Sequence, residues 1–146
     1  MEPPLVIGWK ERIDFIDWDI PRVRVKIDTG ARTSAIDAMI HEVRNNSDGT
    51  RVAMLEVALT RRKPVKTRFV EAPIVRMTRV RNTGGDLLER FVIETLIRLG
   101  PVTKKINLTV ANRGLMLSPI ILGRRALTGD FLVDVARKYV LTRERG

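Results

Sequence analysis

Cysteine is absent from the 146-residue chain and histidine occurs once. Without a thiol there is no disulfide framework, no thiolate metal site and no Cys nucleophile. The lack of disulfides suits a reducing cytoplasm. One histidine, His41, cannot assemble a zinc site, and no His-Glu-x-x-His occurs. A Ser-His-Asp triad would also have to use His41, and there is no Gly-x-Ser-x-Gly. Lying beside Glu42 and Arg44 ahead of a polar loop, His41 reads as a surface residue. Gly-x4-Gly-Lys-Ser/Thr is missing and Gly84-Gly85 has the look of a hairpin turn, so nothing supports ATP or dinucleotide binding and no cofactor is expected. No stretch approaches roughly 18 consecutive apolar residues, and Met1-Glu2-Pro3-Pro4 opens neither a basic nor an apolar leader region. The expectation is a soluble, cytoplasmic chain that is not exported and has no membrane partner. Aromatic residues make up only 5%. A surface that stacks RNA bases interleaves aromatic and basic side chains, so nucleic acid is a poor candidate partner.

What is present in excess is positive charge, 27 Lys and Arg against 17 Asp and Glu, for a formal net charge of +10. That bias favours acidic partners in general, and by itself does not choose among them. The cations are dispersed in clusters, Arg61-Arg62-Lys63, Arg76 to Arg81, Lys104-Lys105 and Arg124-Arg125. With 44% hydrophobic residues the composition is globular, and the length suits a single domain, 1–146, around one core.

The dominant period is two. Val23, Val25 and Ile27 alternate with Arg22, Arg24 and Lys26, and a second run from Val52 to Leu59 follows the loop Asn45-Asn46-Ser47-Asp48-Gly49. Asn82-Thr83-Gly84-Gly85-Asp86 is a hairpin signal between strands predicted around Ile74 to Val80 and Glu89 to Leu99. After Gly100-Pro101 comes another strand, Lys104 to Val110. Short strands over Pro119 to Leu122 and Phe131 to Val133 flank one or two turns of helix at Arg124-Arg125-Ala126-Leu127. A last strand is predicted over Lys138 to Leu141. Strands at this spacing predict an all-β barrel or sandwich.

The one motif with chemical content is Asp28-Thr29-Gly30, at the end of the alternating run. Chance alone places such a tripeptide in roughly a few per cent of chains this long, from average residue usage. On its own it is equally an Asx-type turn with a permissive glycine. Two features go further. The triplet follows a clear strand, which would hold a carboxylate rigidly. About ninety residues later, Ile120-Ile121-Leu122-Gly123-Arg124-Arg125-Ala126-Leu127 joins an apolar strand, a glycine and a short helix opening with arginine.

These stretches resemble the retropepsin-like family that carries the label "ATP-dependent zinc protease". The resemblance rests on Ile7-Gly8-Trp9, Lys26-Ile27-Asp28-Thr29-Gly30-Ala31-Arg32-Thr33-Ser34-Ala35, Glu89 to Ile93, Leu108 to Arg113, Leu122-Gly123-Arg124 and Phe131 to Asp134, which occur in the family's order over nearly the whole length. The label conflicts with the residues, because those for zinc and ATP are absent and those for an aspartic site are present. The resemblance implies an all-β closed barrel of the retropepsin-like, acid-protease kind with one short helix near the C-terminus. It implies an aspartic endopeptidase in which Asp28 is one of two carboxylates. Since the chain holds a single Asp-Thr/Ser-Gly, the second must come from another copy, so a homodimer is expected.

Roles follow from the same resemblance. Thr29 would hydrogen-bond to the other subunit's loop and Gly30 would let the loops approach. Ala31 lacks the hydroxyl that pepsin-type enzymes place there, which implies activity at milder acidity. Gly123 and Arg124 would support the Asp28 loop, while Ala31, Arg32 and Thr33 would meet the substrate. Arg32 departs from the family's usual aspartate. Either an acid such as Glu94 or Asp134 neutralises Arg32 and Arg124, or Arg32 receives an acidic substrate side chain. The family's association with ATP-grasp ligases that add glutamate tails makes acidic or polyglutamate-bearing peptides the expected substrate. The competing reading is a catalytically silent basic module that binds acidic protein or RNA. For a flap over the substrate the sequence offers two hairpins, Arg61 to Val65 and Arg81 to Leu87. Trp9 and Trp18 read as core or edge packing.

Overall fold

The computed structural model describes residues 2–60, 64–81, 84–111 and 118–143. Among them are ten strands and one short helix: β1 Leu5–Gly8, β2 Lys10–Phe15, β3 Ile20–Ile27, β4 Ser34–Asn45, β5 Arg51–Ala58, β6 Thr67–Arg81, β7 Leu87–Leu99, β8 Val102–Ala111, β9 Ile120–Leu122, α1 Arg124–Leu127 and β10 Phe131–Asp134. The chain is all-β in class, with its helix near the C-terminus. Of the described residues, no helix is long and apolar enough to cross a membrane.

Pairing runs β2-β3-β9-β4 and returns through β4–β8, β8–β7 and β7–β2, so the sheet closes into a barrel. Two of its ladders, β3–β9 and β4–β8, are parallel. β4 also pairs with β5, and β5 with β6, which extends the sheet beyond the ring. β1 and β10 form a separate parallel ribbon. The interior is aliphatic, with Ile13, Ile36, Leu55, Ile93, Leu108, Ile120 and Leu122 at 0–1% exposure. Burying that apolar surface is the main favourable term in folding.

β3 shows why the alternating run is a strand: Val23, Val25 and Ile27 are buried while Arg22 and Arg24 face solvent. β4 left no such trace, since Ile36, Asp37 and Ala38 are all buried and a bulge interrupts its register between Ile40 and Glu42. It is flanked by β5, β8 and β9, and a central strand covered on both faces loses its period-two signature.

The expected strand at Lys138 to Leu141 is not one: the segment is a run of bends, and Tyr139 has φ 52°. A positive φ breaks the extended backbone a ladder requires. The segment lies along the start of β2, ahead of the stretch paired with β7, with Tyr139 N donating to Lys10 O and Arg12 N donating to Thr142 Oγ1. The fully buried Glu11 carboxylate does the rest of the holding. It accepts from Gly8 N at 2.6 Å, Val140 N at 2.9 Å, Leu141 N at 3.2 Å, Thr142 N at 3.0 Å and Thr142 Oγ1 at 2.6 Å. Burial pushes the Glu11 carboxyl up, and the donors from Gly8, Thr142 and Leu141 more than cancel it, leaving it below its ordinary range.

Trp18 is buried against Phe15, with ring centroids 4.5 Å apart, and donates to Glu71 O; Trp9 is half-buried at an edge between Lys10 and Lys138. His41 sits on the surface with Nε2 3.0 Å from Glu56 Oε1 and its ring against Phe69. Of the two hairpins, residues 61–63 of one and 82–83 of the other lie outside the described residues, as do Asn112 and Arg113. The strands β6 and β7 that lead into the second carry exposed Val75, Met77, Val80 and Leu87.

Candidate active site

Asp28 leaves the end of β3 still in ladder geometry, its amide donating to Leu122 O of β9 at 2.9 Å. Beyond it the chain turns sharply. Gly30 N donates to Asp28 Oδ1 at 3.0 Å and Ala31 N to Asp28 O at 3.2 Å. The carboxylate is half-buried, and Thr29 and Gly30 are exposed. A carboxylate held at a strand end by the Gly30 amide, with its flanking loop open, is both fixed and reachable.

The Leu122-Gly123-Arg124 stretch clamps this loop from below. Arg124 N donates to Ala31 O at 2.8 Å, Arg125 N to Arg32 O at 3.1 Å, and the Arg124 Nη1 to Thr29 O at 2.9 Å. Gly123 N donates to Ser34 Oγ at 3.0 Å, and Ser34 is buried. A Cβ on Gly123 would strike the Thr33 carbonyl oxygen and lie 2.6 Å from its carbon and 2.8 Å from Ala31 O, so only glycine admits this approach. Every loop carbonyl from Thr29 to Arg32 except that of Gly30 thus takes a donor from the Gly123 element.

Arg32 and Thr33 are exposed and Ala31 half-exposed. Neither proposed acid reaches the arginines. Asp134 accepts from Ala136 N at 3.0 Å and from Arg137 Nε at 2.8 Å, which hold its carboxyl below its usual range, and Glu94 faces Lys105 at 3.9 Å. Among the described residues the Arg32 guanidinium has no partner, whereas Arg124 is spent on the Thr29 carbonyl. Thr33 lines a cavity of about 320 Å³ beside the loop, together with Arg76, Glu94, Lys105, Asn107 and Arg125. No group of three His, Asp or Glu side chains suited to a metal ion occurs among the described residues.

The sequence pointed to Asp28, Gly123 and Arg124 but not to Ser34, Arg76 or Arg125. Ser34 has no signal of its own; its role depends on a glycine 89 residues away.

Residues 6–144, nearly the whole chain, match the RimB-like family, described as retropepsin-like aspartic endopeptidase RimB. The chain belongs to the RimB-like family. Curated relatives carry a different name. "Probable alpha-L-glutamate ligase" of Desulfotalea psychrophila is 28% identical over 138 residues, covering 93% of this chain and 29% of that protein. A protein of the same name from Parasynechococcus marenigrum is 33% identical over 135 residues, 92% of this chain and 28% of that one. The chain therefore spans under a third of the length of the curated relatives it matches. In fold it is similar to the crystal structure of Lpg0085 from Legionella pneumophila, a protein with unknown function, at TM-score 0.76 and 23% identity over 95% of this chain and 99% of that one. The retropepsin-like barrel of this family is the scaffold that carries the clamped Asp28 loop.

Proposed function

We propose that the chain is a cytoplasmic aspartic endopeptidase, active as a homodimer in which the two copies of Asp28 meet across a two-fold axis, and that it cleaves acidic, polyglutamate-bearing peptides. The observation that carries this reading is the Asp28 carboxylate itself, half-buried at a strand end in a loop clamped by Gly123 and Arg124.

Two carboxylates at close range cannot both ionise, so the pair shares one proton. The ionised member takes a proton from a water lying between them while the protonated member donates to the scissile carbonyl oxygen. The water oxygen bonds to the carbonyl carbon to give a gem-diol; the carboxyl that took the water's proton then gives it to the amine nitrogen as the C–N bond breaks, and the other carboxylate takes a proton back from a gem-diol hydroxyl. Thr29 and Gly30, exposed at the loop tip, would meet the second copy and the peptide backbone. The β6–β7 arm, with apolar side chains out in solvent, would serve as the flap.

Support for an acidic substrate comes from the charge of +10, from Arg32 left without a partner among the described residues, and from relatives named "Probable alpha-L-glutamate ligase". The test is hydrolysis of an oligoglutamate-tailed peptide and its glutamine analogue by wild type and Asp28→Asn, read by mass spectrometry. Wild type should cut the glutamate peptide, and Asp28→Asn should bind without cutting, since an amide keeps the shape but cannot share the proton. Unchanged turnover in Asp28→Asn would overturn the aspartic assignment. Binding without hydrolysis by both proteins would mark a silent basic module. EDTA should leave hydrolysis intact; loss restored by zinc would contradict the carboxylate mechanism.

A further inference from the structure

Directly opposed residues in a sheet point to the same side. Lys26 on β3 is opposite Lys10 on β2 and Ile121 on β9, and Ile121 is opposite Ala35 on β4. Lys10, Lys26, Ile121 and Ala35 therefore form one row, and all four are half-buried. Asp28 belongs to this face as well. Ile27 points into the core at 4% exposure, so its neighbours Lys26 and Asp28 both point away from it.

Like charges placed directly opposite destabilise a sheet. Here two such pairs stand side by side, Lys10 with Lys26 and Arg12 with Arg24. The first three cations differ in how they are accommodated. Arg12 lies over the Tyr139 ring at 4.2 Å and donates to Thr142 O at 3.2 Å. Lys10 has its Nζ 5.0 Å from the Trp9 ring, where Lys138 also sits at 5.0 Å. Lys26 has no hydrogen-bond, ion-pair or ring partner among the described residues. A half-buried lysine directly opposite a second lysine leaves two like charges together that an anion arriving from outside would offset. It stands two residues before the carboxylate that would cut the peptide.

We propose that Lys26, backed by Lys10, is a specificity-determining residue that receives the carboxylate of a glutamate side chain adjacent to the scissile bond. The inference rests on the peptidase reading above and names the residue behind its acidic preference. Ile121 and Ala35, next in the row, supply the apolar floor along which the methylenes of that glutamate lie. A two-fold dimer presents Lys26 twice, once on each side of the bond, so glutamate is favoured at both flanking positions. The cavity edged by Arg76 and Arg125 lies at the Ala35 end of the row, where its Thr109 stands directly opposite Ala35, and would meet side chains farther along the peptide.

The test uses matched peptides that differ only in Glu, Gln or Lys beside the scissile bond, assayed with wild type, Lys26→Met, Lys26→Arg, Lys26→Glu and, for comparison, Arg125→Ala. Wild type should prefer Glu over Gln in kcat/KM by about tenfold or more, the range of one charge-assisted hydrogen bond. Lys26→Met should collapse that ratio, Lys26→Arg should keep most of it, and Lys26→Glu should turn the preference toward Lys. The same peptides are titrated onto Asp28→Asn with and without Lys26→Met, so the preference can be read as binding. If wild type cuts nothing but the binding preference still depends on Lys26, the peptidase reading fails and the Lys26 assignment stands. A Glu/Gln ratio untouched in Lys26→Met and Lys26→Glu, or one lost instead in Arg125→Ala, overturns the assignment.

Discussion

Gly123 packs so closely on Thr33 that a methyl group in its place would sit 2.6 Å from the Thr33 carbonyl carbon. Backbone meets backbone here, with no flexible side chain to give way. Gly123→Ala should therefore push the Asp28 loop off its seat, removing hydrolysis and costing about 1–3 kcal/mol of stability by overpacking. Thermal melting and peptide cleavage check it. A variant with wild-type melting and turnover would show that the loop does not depend on this contact.

The Arg124 guanidinium reaches 2.9 Å to the Thr29 carbonyl. Arg124→Ala removes one charge-assisted hydrogen bond at an exposed site, about 1 kcal/mol at most in stability. Its effect should be concentrated on kcat, because Thr29 would lose its anchor next to Asp28. A fall in Tm of many degrees with kcat per folded molecule unchanged would assign Arg124 to the fold alone.

Glu11 gathers five donors on one buried carboxylate. Its folded carboxyl is held below its ordinary value of 4.5, so it binds its proton less readily in the fold than in the unfolded chain. Its stability contribution is present above that ordinary value and is lost as pH falls through the lowered one. Urea unfolding between neutral pH and pH 3 should show that loss in wild type, and Glu11→Gln should start about 2–4 kcal/mol lower with a flatter acid limb, since an amide offers its NH2 to donors. An identical acid limb in both proteins would dissociate Glu11 from acid unfolding.

Arg32 is exposed, unlike the half-buried Lys26. Arg32→Ala should lower kcat/KM for peptides carrying Glu at outer positions more than for their Gln analogues, by about 1 kcal/mol at most at low salt. Because the contact is open to water, the difference should shrink as ionic strength rises and the screening length falls to about 8–10 Å. Equal loss on both peptides would give Arg32 a structural role in the loop.

The alternation of Val23, Val25 and Ile27 that delivers Asp28 was legible from the sequence, as was the glycine-led helix at Arg124 to Leu127, because both patterns lie within a few consecutive residues. The exclusion of thiol chemistry and the excess of positive charge are likewise properties of composition alone. The sequence could not reveal Ser34 beneath Gly123, Lys10 beside Lys26, or Glu11 holding a C-terminal segment that reads as a strand. Each depends on residues brought together from distant parts of the chain or on register across a ladder. A one-residue shift in that register would turn Lys10 to the other face. Local periodicity records which face of its own strand a residue takes. Which residue stands opposite it is set by barrel closure and by the burial of Ile36, Ile120 and Leu122, so the company Asp28 keeps was decided only in three dimensions.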